Sequence, residues 1–188
     1  MSIVAFLTSR IARLDGAEFR PGTERGYPDL EISGDAFGGG HHAVDIKAAR
    51  RGVGKRGVSA NTQSRITLYT GNTYFRHYST RFPNTFRAFA DYKSHLDILA
   101  IYTLSDSAPG RVEDLELIVQ EPWRIASRQR SSTTREYIGA VQNIDRLREG
   151  RGEFDTQDEF YKFWRNYRFK TARIVEQMFA KQQLERDA

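Results

Sequence analysis

Two stretches decide how this chain reads: Tyr27-Pro28-Asp29-Leu30-Glu31-Ile32 and, after a glycine-rich connection, His42-Ala43-Val44-Asp45-Ile46-Lys47. Successive side chains of a strand point to opposite faces, so Leu30 and Ile32 share one face while Asp29 and Glu31 share the other. Asp45 and Lys47, two apart, also share a face. Gly34 and Gly38 to Gly40 predict a turn between the strands, which gives a β-hairpin with an oversized loop over 27–48. Paired, the strands bring Asp29 and Asp45 together with the Lys47 ammonium beside them. Two carboxylates and a backbone carbonyl form a hard-oxygen set suited to Mg2+. Such an ion polarises a phosphoryl oxygen and lowers the pKa of a bound water. Lys47 then orients or deprotonates that water, or balances charge developing on phosphorus. The pattern alone is loose, and a surface hairpin with solvated Asp45 and Lys47 is the bland alternative.

Working outward, the charge distribution favours the chemical reading. The chain has 188 residues and a net charge of +5. From Lys47 to Arg87 there are nine basic residues and no acid, which leaves 20 basic against 24 acidic residues elsewhere. A window of one sign needs a polyanion or anionic surface opposite it. Tyr69, Tyr74, Phe75, Tyr78 and Phe82 are interleaved with these cations, so the window folds rather than trailing as a solvated tail. Nucleic acid is the leading partner; an unusually Arg-rich surface is the alternative.

The rest sets bounds. A hydrophobic fraction of 39% with 12% aromatics supports a real core and excludes a disordered chain, and the length fits one domain, 1–188. No apolar run approaches the roughly 20 residues of a membrane span. The start, MSIVAFLTSRIARL, reads as an amphipathic helix over Ser2 to Leu14 rather than a signal peptide. The absence of cysteine excludes disulfides, thiolate zinc sites and cysteine nucleophiles, and fits a cytoplasmic protein. The spacing predicts a basic loop at Ala48–Ser64, strands at Ile66–Tyr69, Leu96–Leu104 and Leu115–Gln120, and a long polar loop at Trp123–Tyr137. Helices are expected over 141–188, with a Thr156…Glu159 capping box before Phe160, Phe163, Trp164 and Tyr167. These aromatics sit at helical spacing and read as core rather than as a base-stacking platform. The order helix, strands, helices predicts an α/β (α+β) mixed sheet flanked by helices. The glycine run 38–40 is followed by neither GK[ST] nor a helix, so a phosphate cradle is set aside. Adjacent His41 and His42 point to opposite faces and read as a solvated turn, and Glu31 reads as a cross-strand ion-pair partner or an auxiliary acid.

A resemblance extends these readings. YPDLEI with VDIKAA, with a 15-residue gap between Asp29 and Asp45, fits the PD-(D/E)XK nuclease motif. The pattern FD-x-x-DEF-x-x-x-WRNY, at Phe154, Asp155, Asp158, Glu159, Phe160 and Trp164 to Tyr167, resembles EcoRV-like type II restriction endonucleases. Thr67-Leu68, Thr73 and Phe75, and then Trp123, Ile125-Ala126, Thr134, Ile138 and Gly139, resemble further stretches of that family. The ordered matches run from about Tyr27 to Tyr167 and imply a restriction-endonuclease-like fold.

The resemblance implies that Asp29 and Asp45 are metal ligands with the Ile46 carbonyl, and that Lys47 is the catalytic lysine. It implies Mg2+ as cofactor and double-stranded DNA as substrate. Cleavage would fall at a short palindromic site and leave 5′-phosphate ends. It further implies a homodimer and a cognate DNA methyltransferase in the host. The base-reading loop falls at Ser131, Ser132, Thr133, Thr134 and Arg135, within about 124–137. Arg25 lies in the short loop toward the minor groove, and Thr73, Tyr74 and Arg76 lie near the DNA backbone in the 47–87 segment. Arg124, Arg128 and Arg130 are candidate phosphate contacts. Departures accompany the matches. The loop 131–135 lacks the family's glycines and asparagine, so no recognition sequence carries over, and Arg135 can address a guanine or a phosphate. The chain starts late relative to the family pattern, and the early helix shows no counterpart of the family's additional acid. Two alternatives stay open: a nuclease of this type with low sequence specificity, and a DNA-binding module that does not cut.

Overall fold

The structure, a computed structural model, describes residues 2–23, 26–54, 57–131 and 137–186. Helix α1 (Ile3–Ile11) opens under Ser2, whose hydroxyl accepts from the Ala5 N–H at 3.1 Å, and ends before the expected Leu14. Strands β1 (Glu18–Pro21), β2 (Leu30–Ser33) and β3 (His41–Gly54) follow, then β4 (Gly57–Thr62) and β5 (Thr67–Thr70). Next come β6 (Ser94–Leu104), β7 (Val112–Gln120), the short helix α2 (Pro122–Ile125), β8 (Ala126–Arg130) and β9 (Tyr137–Ala140). Helices α3 (Ile144–Arg148), α4 (Gln157–Arg165) and α5 (Arg173–Arg186) close the chain.

The main sheet runs β1-β2-β3-β6-β7, with β4 pairing β3, and β5-β9-β8 form a second, three-stranded sheet. Pairing is antiparallel except between β3 and β6, so the sheet is mixed as expected. A parallel pair cannot be joined by a tight turn. The crossover here carries β4, β5 and a single π-type turn, Asn72–Arg76.

Alternation along β2, β3 and β6 splits the main sheet into two unlike faces. Leu30, Ile32, Val44 and Ile98 pack with Ile11 and Leu7 of α1 on one side. Ala43, Ala49, Leu99, Ile101 and Ile118 face the other way, onto the second sheet and the C-terminal helices. There Ile125, Ile144, Leu147, Phe160 and Trp164 complete the larger core. In α4, Thr156 caps the Glu159 N–H at 3.1 Å. The Glu159 carboxylate closes back onto the Asp155 N–H, one residue before the cap, at 3.0 Å. Phe160 and Trp164, four apart on one helical face, are fully buried, while Phe163 and Tyr167 pack partly buried beside them, which settles these aromatics as core.

Three sequence expectations need correction. The basic stretch after Lys47 is not a loop: β3 runs on to Gly54 and folds back as β4, with the register shifting between Arg51 and Val53. The polar stretch from Trp123 is not a loop at its start, since it forms α2 and then β8, which pairs with β9. Strand β1 was not anticipated, because all four of its residues are exposed and leave no alternation to read.

Candidate active site

The hairpin places its chemistry through register. Residues Leu30 to Ser33 of β2 pair with Val44 down to His41 of β3, and the ladder stops at Leu30. Two residues further on, that register sets Pro28 opposite Ile46. Proline has no N–H to give, so the ladder offers no donor to the Ile46 carbonyl. The Ile46 N–H on the same edge is taken instead by the Asp29 side chain, which accepts it through Oδ2 at 2.7 Å. A carboxylate thus replaces a missing rung and is held over β3 just past the end of the β2–β3 ladder. Asp29 is fixed from behind as well, because its carbonyl accepts from the Gly22 N–H at 2.7 Å. Only glycine permits that approach: a Cβ at position 22 would lie 2.2 Å from the Pro28 carbonyl oxygen.

Asp45 and Lys47 project from β3 to the same face, as the spacing predicts, and the Lys47 ammonium closes an ion pair onto Asp45. Asp45 is 6% exposed, and Lys47 lies half-buried beside it. Burial pushes the Asp45 carboxyl up to about 6; Lys47 pulls it down, and the nearby Asp29 charge pushes it up further. For Lys47, burial opposes the charged form, but Asp45, Asp97 and Asp29 outweigh it and raise its pKa, so the amine is held as an ammonium. Asp29, Asp45, Ile46 and Lys47 line one cavity of about 260 Å3 with Tyr27, Thr67, Tyr69, Thr70 and Tyr74. Larger depressions exist, including one of about 460 Å3 at Arg128 and Phe163, but its Glu159 is engaged by Arg128 and no second acid joins it. Chemistry, not size, marks the site.

An aromatic wall backs the cavity. The Tyr27 hydroxyl and His95 Nδ1 are 2.6 Å apart and buried, and the His95 ring stacks on Phe89 with centroids 3.9 Å apart. Burial pushes His95 down to about 3, a backbone bond at Phe89 opposing it, so the imidazole is neutral. Burial, with the Asp45 charge, raises Tyr27 and Tyr74 and keeps both phenols protonated.

The remaining sequence candidates fall as follows. Thr73 is 3% exposed, and its hydroxyl meets no partner among the described residues. Tyr74 lines the cavity, and Arg76 is exposed at the end of the π-type turn. Ser131, 2.7 Å from the Thr67 hydroxyl, links the start of the expected reading loop to the cavity rim. Ser132, Thr133, Thr134, Arg135 and Arg25 lie outside the described residues. Arg128 is committed to Glu153 and Glu159, and Arg124 lies over the Trp123 ring. Glu31 accepts two bonds from Arg87, at 2.8 and 3.0 Å, which makes it an ion-pair partner. His42 bonds Ser94, and His41 lies 3.6 Å from Glu31. The basic window is only partly outward: Lys47, Arg51 and Arg87 pair with Asp45, Glu116 and Glu31, and Arg65 bonds the Ala140 carbonyl and Gln129. Arg50, Arg76 and Arg81 are exposed, and Lys55 and Arg56 lie outside the described residues.

Sequence reasoning missed Asp97, which β6 sets directly across from Asp45. It is 0% exposed, and burial first, then Asp45 and Asp29, push its carboxyl well up against the pull of Lys47. A signal was present: Asp97 is the lone charge inside LDILAIYTL, the most apolar run of the chain. Tyr27 and His95 were missed too, since their contact joins residues 68 apart.

Helices flanking a mixed sheet, with an acid hairpin and lysine at one cavity, define the restriction-endonuclease-like class. Within it, the family described as "Restriction endonuclease EcoRV" matches residues 1–185, and the chain belongs to that family. Membership makes it a type II site-specific deoxyribonuclease, a hydrolase. No curated protein matches the chain.

Proposed function

We propose that this enzyme hydrolyses both strands of duplex DNA with Mg2+, at a short palindromic site, and that Asp29, Asp45 and Lys47 carry the chemistry. The observation that carries the reading is the convergence of both carboxylates and the lysine on one cavity where the β2–β3 ladder ends. The donor set fits a hard cation: two carboxylates, and an Ile46 carbonyl to which the ladder gives no donor. Asp29, Asp45 and the Ile46 carbonyl would hold the ion, a share small enough to suit Mg2+, which usually keeps several waters. Bound there, Mg2+ would supply Lewis acidity to the scissile phosphate and acidify a water.

The chain's own groups do the rest. Asp29, braced by the Ile46 N–H and the Gly22 contact, holds its orientation without substrate. Lys47, kept as an ammonium, donates hydrogen bonds to the phosphate oxygens and offsets the charge that builds on phosphorus. Water attacks phosphorus, the P–O3′ bond breaks, and the products are a 5′-phosphate and a 3′-hydroxyl. Tyr27, Tyr69 and Tyr74 limit water on the inner side of the cavity. The exposed Arg76, with Tyr74 and Thr73 of the same turn, is assigned to backbone phosphates, and 131–135 and Arg25 are assigned to the grooves. A homodimer matches a palindrome half-site by half-site, and host DNA would be protected by a cognate methyltransferase in the cytoplasm. No helix among the described residues is long and apolar enough to cross a membrane.

The test is digestion of a long DNA of known sequence with Mg2+, followed by sequencing of the fragment ends. Discrete bands with a shared, symmetric end sequence are expected. A smear would remove the specificity, and uncut but bound DNA would leave a binding module. Sedimentation with and without DNA checks the dimer.

A further inference from the structure

The Lys47 ammonium occupies the very carboxylate that a cation at Asp29 and Asp45 would need. Asp97 offers it another place. The parallel register pairs Asp97 of β6 with Asp45 of β3, so the two carboxyl groups share a face on strands about 4.8 Å apart. Lys47 folds back along its own strand to Asp45 and feels three carboxyl groups: Asp45, Asp97 and Asp29. Asp45 and Asp29 already have partners, in Lys47 and the Ile46 N–H. Both Asp97 oxygens are buried and meet no hydrogen-bond partner among the described residues. Asp97 does not line the cavity, so it stands behind the candidate ligands rather than among them. A buried acid left without partners is costly, and the cationic donor whose field Asp97 feels is the Lys47 ammonium.

We propose that Asp97 is a positioning residue acting through Lys47: it is the second seat of the ammonium, taken up when a divalent cation claims Asp45. Either Asp97 oxygen accepts from Nζ–H. The lysine thereby stays in the site, still aimed at the phosphate, while the Asp45 oxygens are released. Without Asp97 the ammonium is left with Asp45 and Asp29, the carboxylates that the cation itself needs, and competes with it for them. The inference rests on the metal reading of Asp29 and Asp45, and the test separates the two.

The experiment is a Mn2+ titration without DNA, followed by loss of the free-ion EPR signal, on the unchanged chain, D97N, K47M and the D97N/K47M double variant. D97N should bind Mn2+ about tenfold more weakly, and K47M at least as tightly as the unchanged chain. Placed on K47M, D97N should have less than a twofold effect, because the competitor is gone. An equal loss in both backgrounds would show a simple field effect and overturn the proposal, as would no loss from D97N. Thermal melting accompanies each titration. If D97N melts below the unchanged chain, D97L, which fills the same buried space, enters the same cycle and is judged by the same result. Failure of the unchanged chain to bind Mn2+ would instead overturn the metal reading and this inference together.

Discussion

The two faces of β2, β3 and β6 are built from alternate residues of the same strands and differ in everything else. Under α1 the face is apolar at its centre, where Leu30, Ile32, Val44 and Ile98 close a small core with Ile11, and His42 and Ser94 satisfy each other at its edge. On the opposite face the same strands present Asp45, Lys47 and Asp97 in a buried setting, between aliphatic residues and a wall of tyrosines. One residue of slip would exchange the two faces. The α1 face therefore anchors the register, and that register places the acids. Stability and chemistry are separated by a single peptide unit.

Removing charge from the polar face should give the largest effect on function. Asp29→Asn keeps the shape but gives up a ligand charge. Cleavage is expected to fall by at least about a thousandfold, since metal-assisted charge stabilisation supplies several kcal/mol; initial rates on a cleaved DNA check this, beside an unchanged melting curve. A variant that cuts at a tenth of the normal rate would dissolve the contrast between faces. On the apolar side, Ile32→Ala should cost about 2–5 kcal/mol of stability, read from urea unfolding, while cleavage per folded molecule is kept.

The pH response sharpens the comparison further. With its carboxyl raised to about 6, Asp45 favours the folded state most when protonated, so its contribution is full below the ordinary carboxylate range and is lost as pH rises through about 6. A cation needs the opposite form. Cation affinity should drop about tenfold per pH unit below that value and level off above it. A Mn2+ titration between pH 5 and pH 8 follows this directly, and a flat profile would remove Asp45 from the ligand set.

The smallest effect separates cations of one sequence window. Arg76→Ala should lower the salt slope of DNA binding by about 0.9, one phosphate contact. Arg51→Ala should leave the slope unchanged, because Arg51 is spent on Glu116 at 2.6 Å. Equal slopes for the two variants would show that orientation in the fold does not sort them.

The hairpin was legible because period-2 alternation and glycine turns are local signals, and Asp29, Asp45 and Lys47 converge as that alternation requires. The aromatic face of α4 was legible for the same reason at helical spacing. Strands β4 and β8 were not: GVSANT and ASRQR are polar, glycine- or arginine-bearing segments that pair because neighbouring strands offer an edge. The long reach of the basic window misled in one respect, since sequence cannot tell an outward arginine from one that crosses to Glu31 or Glu116. Asp97 was in plain view within an apolar strand, yet its meaning depends on the parallel neighbour that only the fold supplies.

The most direct test of the central claim is a paired assay of Asp45→Ala and the unchanged chain: cleavage of a substrate DNA with Mg2+, and gel shift of the same DNA with Ca2+. The account predicts that the variant binds within a few-fold of normal and does not cut. Cleavage by the variant near the normal rate would contradict it.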